Sequence, residues 1–173
     1  MARTSRVKKA FGADKIEKRV KALGKQIRKD AGEGEVLLLG ILKGASIFLA
    51  DLMRAIPGEV NYGFIDVVRD IDDTGTASAL EIDFVSHVEI ERRNVYVLKD
   101  VVSTGVIENY LLQQLRLHEP ASVHLVALLD RPDLRTVEID ADYRAFKVSE
   151  GSFVGYGLEI AAKHANLPYI GKI

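Results

Sequence analysis

Three short apolar runs constrain this chain most: Val36-Leu37-Leu38-Leu39-Gly40-Ile41, Val95-Tyr96-Val97-Leu98, and the stretch from Ser122 to Leu129. None alternates apolar with polar residues over its whole length, as a strand with one wet face would; only Ser122-Val123-His124-Leu125 does so at the start of the third. Runs of this kind suit strands covered on both faces, which is the environment of a parallel sheet layered between helices. Helical periodicity fills the intervals. Ile16, Val20, Leu23 and Ile27 recur at steps of four, three and four, which predicts a helix from Asp14, the expected N-cap, to the Gly32/Gly34 stop. Ala45–Ile56 is an apolar helix ended by Pro57-Gly58, and a third helix is expected from about Val106 to His118. The strand–helix–strand rhythm predicts an α/β fold with a mainly parallel sheet flanked by helices.

The remaining segments are less regular. Val60 to Val68 reads as a strand, and Ser78 to Val88 returns as a second one around the acidic turn Asp70 to Gly75. Short elements are expected at Val137–Ile139, at Tyr143–Val148 and around Gly155–Ile173. At 173 residues the chain has the size of one domain. Residues 1–13 are expected to form a basic N-terminal arm, and 14–173 the single folded unit. Residues 1–30 carry a net charge of +8 and the rest −9, an asymmetry hidden by a total of −1. The N-terminal helix lacks interleaved aromatics, so nucleic-acid stacking is not indicated and a solvated basic face is expected. With no Cys, disulfides, thiolate metal sites and a Cys nucleophile are excluded. No apolar segment follows Arg3, Arg6, Lys8 and Lys9, and no run of about 18 apolar residues occurs. A soluble, cytoplasmic protein without membrane contact is the expectation.

Ligands of parallel α/β sheets bind beyond the carboxyl ends of the strands. Three loops leave those ends: Leu42-Lys43-Gly44, residues 99–105, and Asp130-Arg131-Pro132. In Asp100-Val101-Val102-Ser103-Thr104-Gly105 a glycine permits a tight bend before a helix. The Ser103 and Thr104 hydroxyls and the first helical N–H groups can hold a phosphate, and Asp100 can meet sugar hydroxyls or a divalent metal. An ordinary strand–helix turn with capping hydroxyls has the same residues. The four His residues, His87, His118, His124 and His164, show no metal-ligand spacing and read as structural or surface groups. Ser103 has no evident His partner for a hydrolase triad.

The segment 97–105, Val-Leu-Lys-Asp-Val-Val-Ser-Thr-Gly, resembles the phosphoribosyl pyrophosphate (PRPP) signature of the type I phosphoribosyltransferases. Leu42-Lys43-Gly44, Ala127-Leu128-Leu129-Asp130-Arg131-Pro132, Ala141-Asp142-Tyr143, the 153–159 segment and Leu167-Pro168-Tyr169-Ile170-Gly171 follow in the order of the hypoxanthine-guanine branch. The resemblance covers about residues 14–173. It implies a type I phosphoribosyltransferase fold with a small C-terminal hood. It also implies PRPP and a purine base or nucleotide as ligands, Mg²⁺ as cofactor, and a homodimer or homotetramer. By resemblance, Lys43 and Gly44 hold pyrophosphate, Asp100 and Ser103 take the catalytic positions, and Thr104, Gly105 and Val106 cradle the 5′-phosphate. Arg131, Ser152 and Phe153 meet the base, and Glu159 binds the metal. Asp70 to Thr76 superficially resembles a second PRPP loop, but no helix pattern follows it and it stands too far ahead of Leu128-Leu129-Asp130.

The departures converge. Lys99 stands where the family has the first of two acids, and Ser103 where it has the acid that handles a purine proton. Ile107 replaces a hydroxyl-bearing Thr, Arg131 a base-reading Lys, and Ala165 an Arg that helps hold pyrophosphate. The stacking aromatic falls at Ser152, with Phe153 one place later, and Glu159 replaces Asp. An unactivated Ser is a poor general base near pH 7. The expectation is a purine-salvage enzyme with catalysis weakened or lost. The alternatives are a catalytically silent nucleotide-binding or purine-binding regulator on the same fold or, further off, an RNA-binding regulator like the pyrimidine-operon attenuator branch.

Overall fold

The computed structural model describes residues 7–71, 77–84 and 88–173. In chain order the elements are β1 (Lys8–Phe11), α1 (Ala13–Ala31), β2 (Val36–Ile41), α2 (Ser46–Ala55), β3 (Val60–Ile71) and β4 (Ala77–Phe84). They continue with β5 (Asn94–Val102), α3 (Val106–Arg116), β6 (Ser122–Asp130), β7 (Tyr143–Lys147), β8 (Phe153–Val154) and β9 (Ile170–Lys172). A six-stranded sheet runs in the order β4-β3-β2-β5-β6-β7 and is parallel except for the β3/β4 hairpin. A second sheet, β1-β9-β8, is small and antiparallel.

The unbroken apolar runs are explained by two cores. Val36 and Leu38 of β2, Tyr96 and Leu98 of β5, and Val126 and Leu128 of β6 face one cluster together with Ile16, Val20, Leu23 and Ile27 of α1 and Phe48, Leu49 and Leu52 of α2. Their neighbours Leu37, Leu39, Val95, Val97, Leu125 and Ala127 face a second cluster with Leu111, Leu112 and Leu115 of α3. Successive residues of a strand point to opposite faces, so a strand buried on both sides must be apolar throughout. Each fully buried aliphatic side chain contributes about 1.5–3 kcal/mol.

The structure corrects several sequence expectations. The arm of residues 1–13 is not loose over its second half: β1 pairs antiparallel with β9, and Phe11 stacks on Phe146 with ring centroids 4.0 Å apart. The hood sheet therefore brings residues 8–11 beside residues 170–172. The N-cap of α1 is Gly12, not Asp14. β5 runs four residues beyond Leu98, because β6 continues beside it to the Val102↔Asp130 register and supplies backbone partners. Val137–Ile139 forms no strand. The acidic stretch Asp70 to Thr76 enters from one hairpin strand and leads into the other, not into a helix; residues 72–76 lie outside the described residues, as does His87.

The basic face of α1 serves partly as internal strapping. Arg19 donates to the carbonyls of Ala145 (2.9 Å) and Arg144 (2.8 Å), and Arg28 to those of Pro57, Glu59, Gly34 and Gly32. No helix among the described residues is long and apolar enough to cross a membrane.

Candidate active site

β2, β5 and β6 are parallel neighbours, so their carboxyl ends deliver the three loops to one edge. The first contact is between Gly44 and Asp100. A Cβ at Gly44 would lie 2.0 Å from Asp100 Oδ2, so only glycine lets that backbone rest on the carboxylate. The other oxygen, Oδ1, is sealed from solvent and has no hydrogen bond of good geometry among the described residues. Lys99 Nζ makes an ionic contact with it at 2.8 Å, both side chains being about one-fifth exposed at 21% and 20%. The Leu42–Lys43 peptide is cis.

The loop 103–105 is pinned from behind. Val102 O accepts from the Arg131 N–H at 2.9 Å, and Thr104 O from the Thr136 N–H at 3.0 Å. Gly105 O accepts from the Asn109 N–H at 2.8 Å, and Ser103 O from Arg135 Nη1. Among the described residues, no backbone carbonyl accepts from the N–H groups of Ser103, Thr104 or Gly105. Carbonyls turned back and N–H groups left over at a helix start make an anion-binding concavity. Gly105 caps α3 in the left-handed region (φ 82°), and a Cβ there would lie 2.4 Å from Ile139. Val106 opens α3, whose N-cap is a glycine with no side chain to offer a cap bond.

Two residues not singled out from the sequence organise this loop. Arg135 donates through Nη2 to Asp130, through Nε to Ile139 O (3.0 Å) and through Nη1 to Ser103 O. Asp130 is fully buried and also faces Arg144 Nη1 at 3.0 Å. The only trace in the sequence is an acid and a base five apart around Pro132, which is weak. The second is Glu108, a buried acid in the first turn of α3. Burial raises its carboxyl pKa, while its own backbone N–H, Lys99 and Arg135 pull the other way and Asp100 adds to the rise. Its helical position is legible; its burial is not.

The residues expected to meet the base are partly committed elsewhere. Arg131 donates Nη2 to Ser149 O (2.7 Å) and Nη1 to Gly151 O (3.4 Å), leaving its buried Nε unpartnered among the described residues. Ser152 is exposed, and its carbonyl accepts from the Ile173 N–H. Phe153 packs against the core on the α1/α2 side. Asp142 and Tyr143 lie away from the strand ends. Asp142 Oδ2 accepts from the Leu125 N–H at 2.7 Å, and the Tyr143 hydroxyl donates to Asp30 at 2.8 Å. Their place against the early part of β6 makes them a buttress for that strand.

The hood meets the Leu42-Lys43-Gly44 loop directly. Glu159 Oε1 lies 2.8 Å from Lys43 Nζ, and a Cβ at Gly157 would lie 2.9 Å from Gly44 O. The Tyr156 hydroxyl donates to Asp51 of α2 at 2.6 Å; burial first, then this bond, raises its pKa. Ala165 O accepts from the Gly157 N–H, so the Arg-to-Ala position is structural backbone here. The site residues thus form two groups: Lys43, Gly44, Asp100 and Glu159 in a chain of contacts, and residues 103–106 with the Arg131–Arg135 segment behind them. A groove of about 580 Å³ between α1, α2 and the 165–168 segment contains none of the predicted site residues. No cluster of three or more His, Cys, Asp or Glu side chains capable of holding a metal occurs among the described residues.

Comparison with known proteins agrees with this architecture. Residues 10–161 match the phosphoribosyl transferase domain model. The chain is 34% identical over 158 residues to the hypoxanthine-guanine phosphoribosyltransferase of Bacillus subtilis (strain 168), covering 91% of this chain and 88% of that protein. It is 35% identical to the bifunctional protein TilS/HprT of Listeria monocytogenes serotype 4b (strain F2365), of which it spans only 24%. The crystal structure of a hypoxanthine-guanine phosphoribosyltransferase (hpt-2) from Bacillus anthracis superposes with a TM-score of 0.89 at 30% identity, covering 97% of this chain and 99% of that one. Strand order, loop convergence and relatives lead to one assignment: the chain belongs to the type I phosphoribosyltransferase family, among proteins like hypoxanthine-guanine phosphoribosyltransferase.

Proposed function

We propose that this protein binds PRPP and a purine base, or the purine nucleotide, and transfers phosphoribose to hypoxanthine or guanine slowly. The products would be IMP or GMP and pyrophosphate, as in purine salvage. The observation that carries the reading is the 103–105 loop, with its carbonyls held from behind and its N–H groups unused by backbone at the start of α3. That arrangement suits a 5′-phosphate.

In the reaction the bond from C1′ to pyrophosphate breaks, with its electron pair leaving on the pyrophosphate oxygen. A purine nitrogen bonds to C1′ and the purine gives up a proton. Positive charge develops on the ribose ring, and positioned negative groups stabilise it. Asp100 is the acid at hand, set at the strand end under Gly44. Lys43 and Gly44 hold pyrophosphate, Thr104, Gly105 and Val106 the 5′-phosphate, and Arg131 and Phe153, beside Ser152, the base. Ser103 occupies the position from which a base would take the purine proton, and its hydroxyl accepts it poorly at neutral pH.

Mg²⁺ fits at Glu159. The ion binds through one or two carboxylates plus substrate phosphates, and the Lys43 side chain paired with Glu159 is 74% exposed and readily displaced. Bound there, it would neutralise charge on the pyrophosphate. Association as a homodimer or homotetramer in the cytoplasm completes this reading.

The Lys99–Asp100 pair and Ser103 favour a second reading, a nucleotide-binding protein with no useful turnover. One assay separates the two: IMP and GMP formation from PRPP, beside calorimetric binding of IMP and GMP. Slow formation supports the first reading, and nucleotide binding without formation supports the second. Turnover like an ordinary salvage enzyme overturns both; absence of nucleotide binding overturns the site.

A further inference from the structure

The Asp100 corner differs in kind from the Glu159 corner. Its carboxylate already holds a cation. Lys99 Nζ lies 2.8 Å from Asp100 Oδ1, and neither side chain is more than about one-fifth exposed. The other carboxylate oxygen is covered by the Gly44 backbone, whose loop is the proposed pyrophosphate support. Glu108 is buried in the first turn of α3, and Lys99 is the first charge that offsets its desolvation, with Arg135 after it. Asp130 is separately matched by Arg135 and Arg144. Lys99 is thus the cation in contact with Asp100 and, with Arg135, one of the two that offset the buried Glu108. An acid at position 99 would leave three carboxyl groups here and would require an added cation before any polyanion could approach. An ammonium supplies that charge from the chain itself, and it repels a divalent ion from the Asp100 carboxylate.

We infer that Lys99 is a built-in cation for this corner of the site, so that pyrophosphate binds without a divalent metal at Asp100. The inference rests on the phosphoribosyltransferase reading of the loops but concerns one residue that departs from it. A Lys point charge is a known way to hold phosphate. Its four-carbon stem rises from β5, and its ammonium rests on the carboxylate whose other oxygen the Gly44 backbone covers.

The test is calorimetric titration of the full chain with inorganic pyrophosphate, in EDTA and in Mg²⁺, for wild type, Lys99→Met and Lys99→Glu. GMP titration in EDTA runs alongside, and an unfolding curve checks each variant. Wild type is expected to bind pyrophosphate in EDTA within about threefold of its Mg²⁺ affinity. Lys99→Met should lose about tenfold or more in EDTA, the effect of removing one charge-assisted contact. Lys99→Glu should bind only with Mg²⁺. The inference is overturned if wild type needs Mg²⁺ for a tenfold gain, if Lys99→Met binds as wild type does in EDTA, or if pyrophosphate fails to bind while GMP binds. Failure of GMP itself would instead remove the phosphoribosyltransferase reading of the loop.

Discussion

The floor of the site and its rim use the same chemistry under opposite conditions. On the floor, Arg135 reaches a fully buried Asp130 with a side chain only 11% exposed, and the same guanidinium holds two backbone carbonyls. At the rim, Lys43 reaches Glu159 with side chains 74% and 31% exposed and no further side-chain bond among the described residues. Water and salt screen the second pair, so it adds at most about 1 kcal/mol. The first has little water to fall back on, and breaking it strands a charge. The floor is built to hold its shape, while the rim can open for a ligand.

The largest predicted effect breaks the floor. Arg135→Ala should cost about 3–5 kcal/mol of stability, read as a lower denaturant midpoint, because Asp130 is left buried with only Arg144. Arg135→Lys should recover only part of this, since an ammonium cannot span three acceptors in a plane. Unchanged stability would show that the buried pair is not what holds the loop.

Next comes chemistry on an intact floor. Ser103→Asp should raise IMP formation on the order of 10²-fold, the lower end of general-base contributions. No gain would mean that Lys99 and Ile107, not Ser103, limit turnover.

Glu108 tests the floor's electrostatics through pH. Its folded pKa is raised from the ordinary 4.5 chiefly by burial, so the folded state keeps the proton longer than the unfolded state. Stability from this group is therefore fullest below the ordinary value and declines as pH rises through the raised one. Glu108→Gln removes that decline. Urea midpoints of the two proteins should diverge as pH rises above 4.5, with wild type losing ground. Parallel curves would show its charge to be fully matched.

The rim yields smaller numbers. Tyr156→Phe removes the hydroxyl bond to Asp51 and should cost about 0.5–1.5 kcal/mol by thermal unfolding. Glu159→Gln should change stability by less than about 1 kcal/mol and remove the small gain in pyrophosphate affinity, at most about threefold, that Mg²⁺ gives wild type. A larger stability loss at the rim than at the floor would reverse the comparison.

Local pattern carried much of the fold. Ile16, Val20, Leu23 and Ile27 mark the buried face of α1, and the apolar runs mark β2, β5 and β6, because burial on two faces leaves no place for a polar residue. β1 gave no such signal. Lys8–Phe11 is largely exposed and becomes a strand only by pairing with β9, some 160 residues away. The 99–105 loop was legible from its glycine, hydroxyls and acid. Arg135 was not, since nothing near it in the chain indicates that its partners are Ser103 and Ile139.

By itself, the sequence determined the layered α/β plan, the three loops at the strand ends and the replacement of acids by Lys99 and Ser103. The first two follow from periodicity and residue type, which are local properties; the third is read only from the resemblance to the family. Only the tertiary structure decided that Asp130 is buried under Arg135, that Glu108 is sealed in, that the hood brings residues 8–11 beside residues 170–172, and that Lys43 and Lys99 each hold a carboxylate. Charge pairing and burial depend on which distant segments meet, and chain order alone does not encode that meeting.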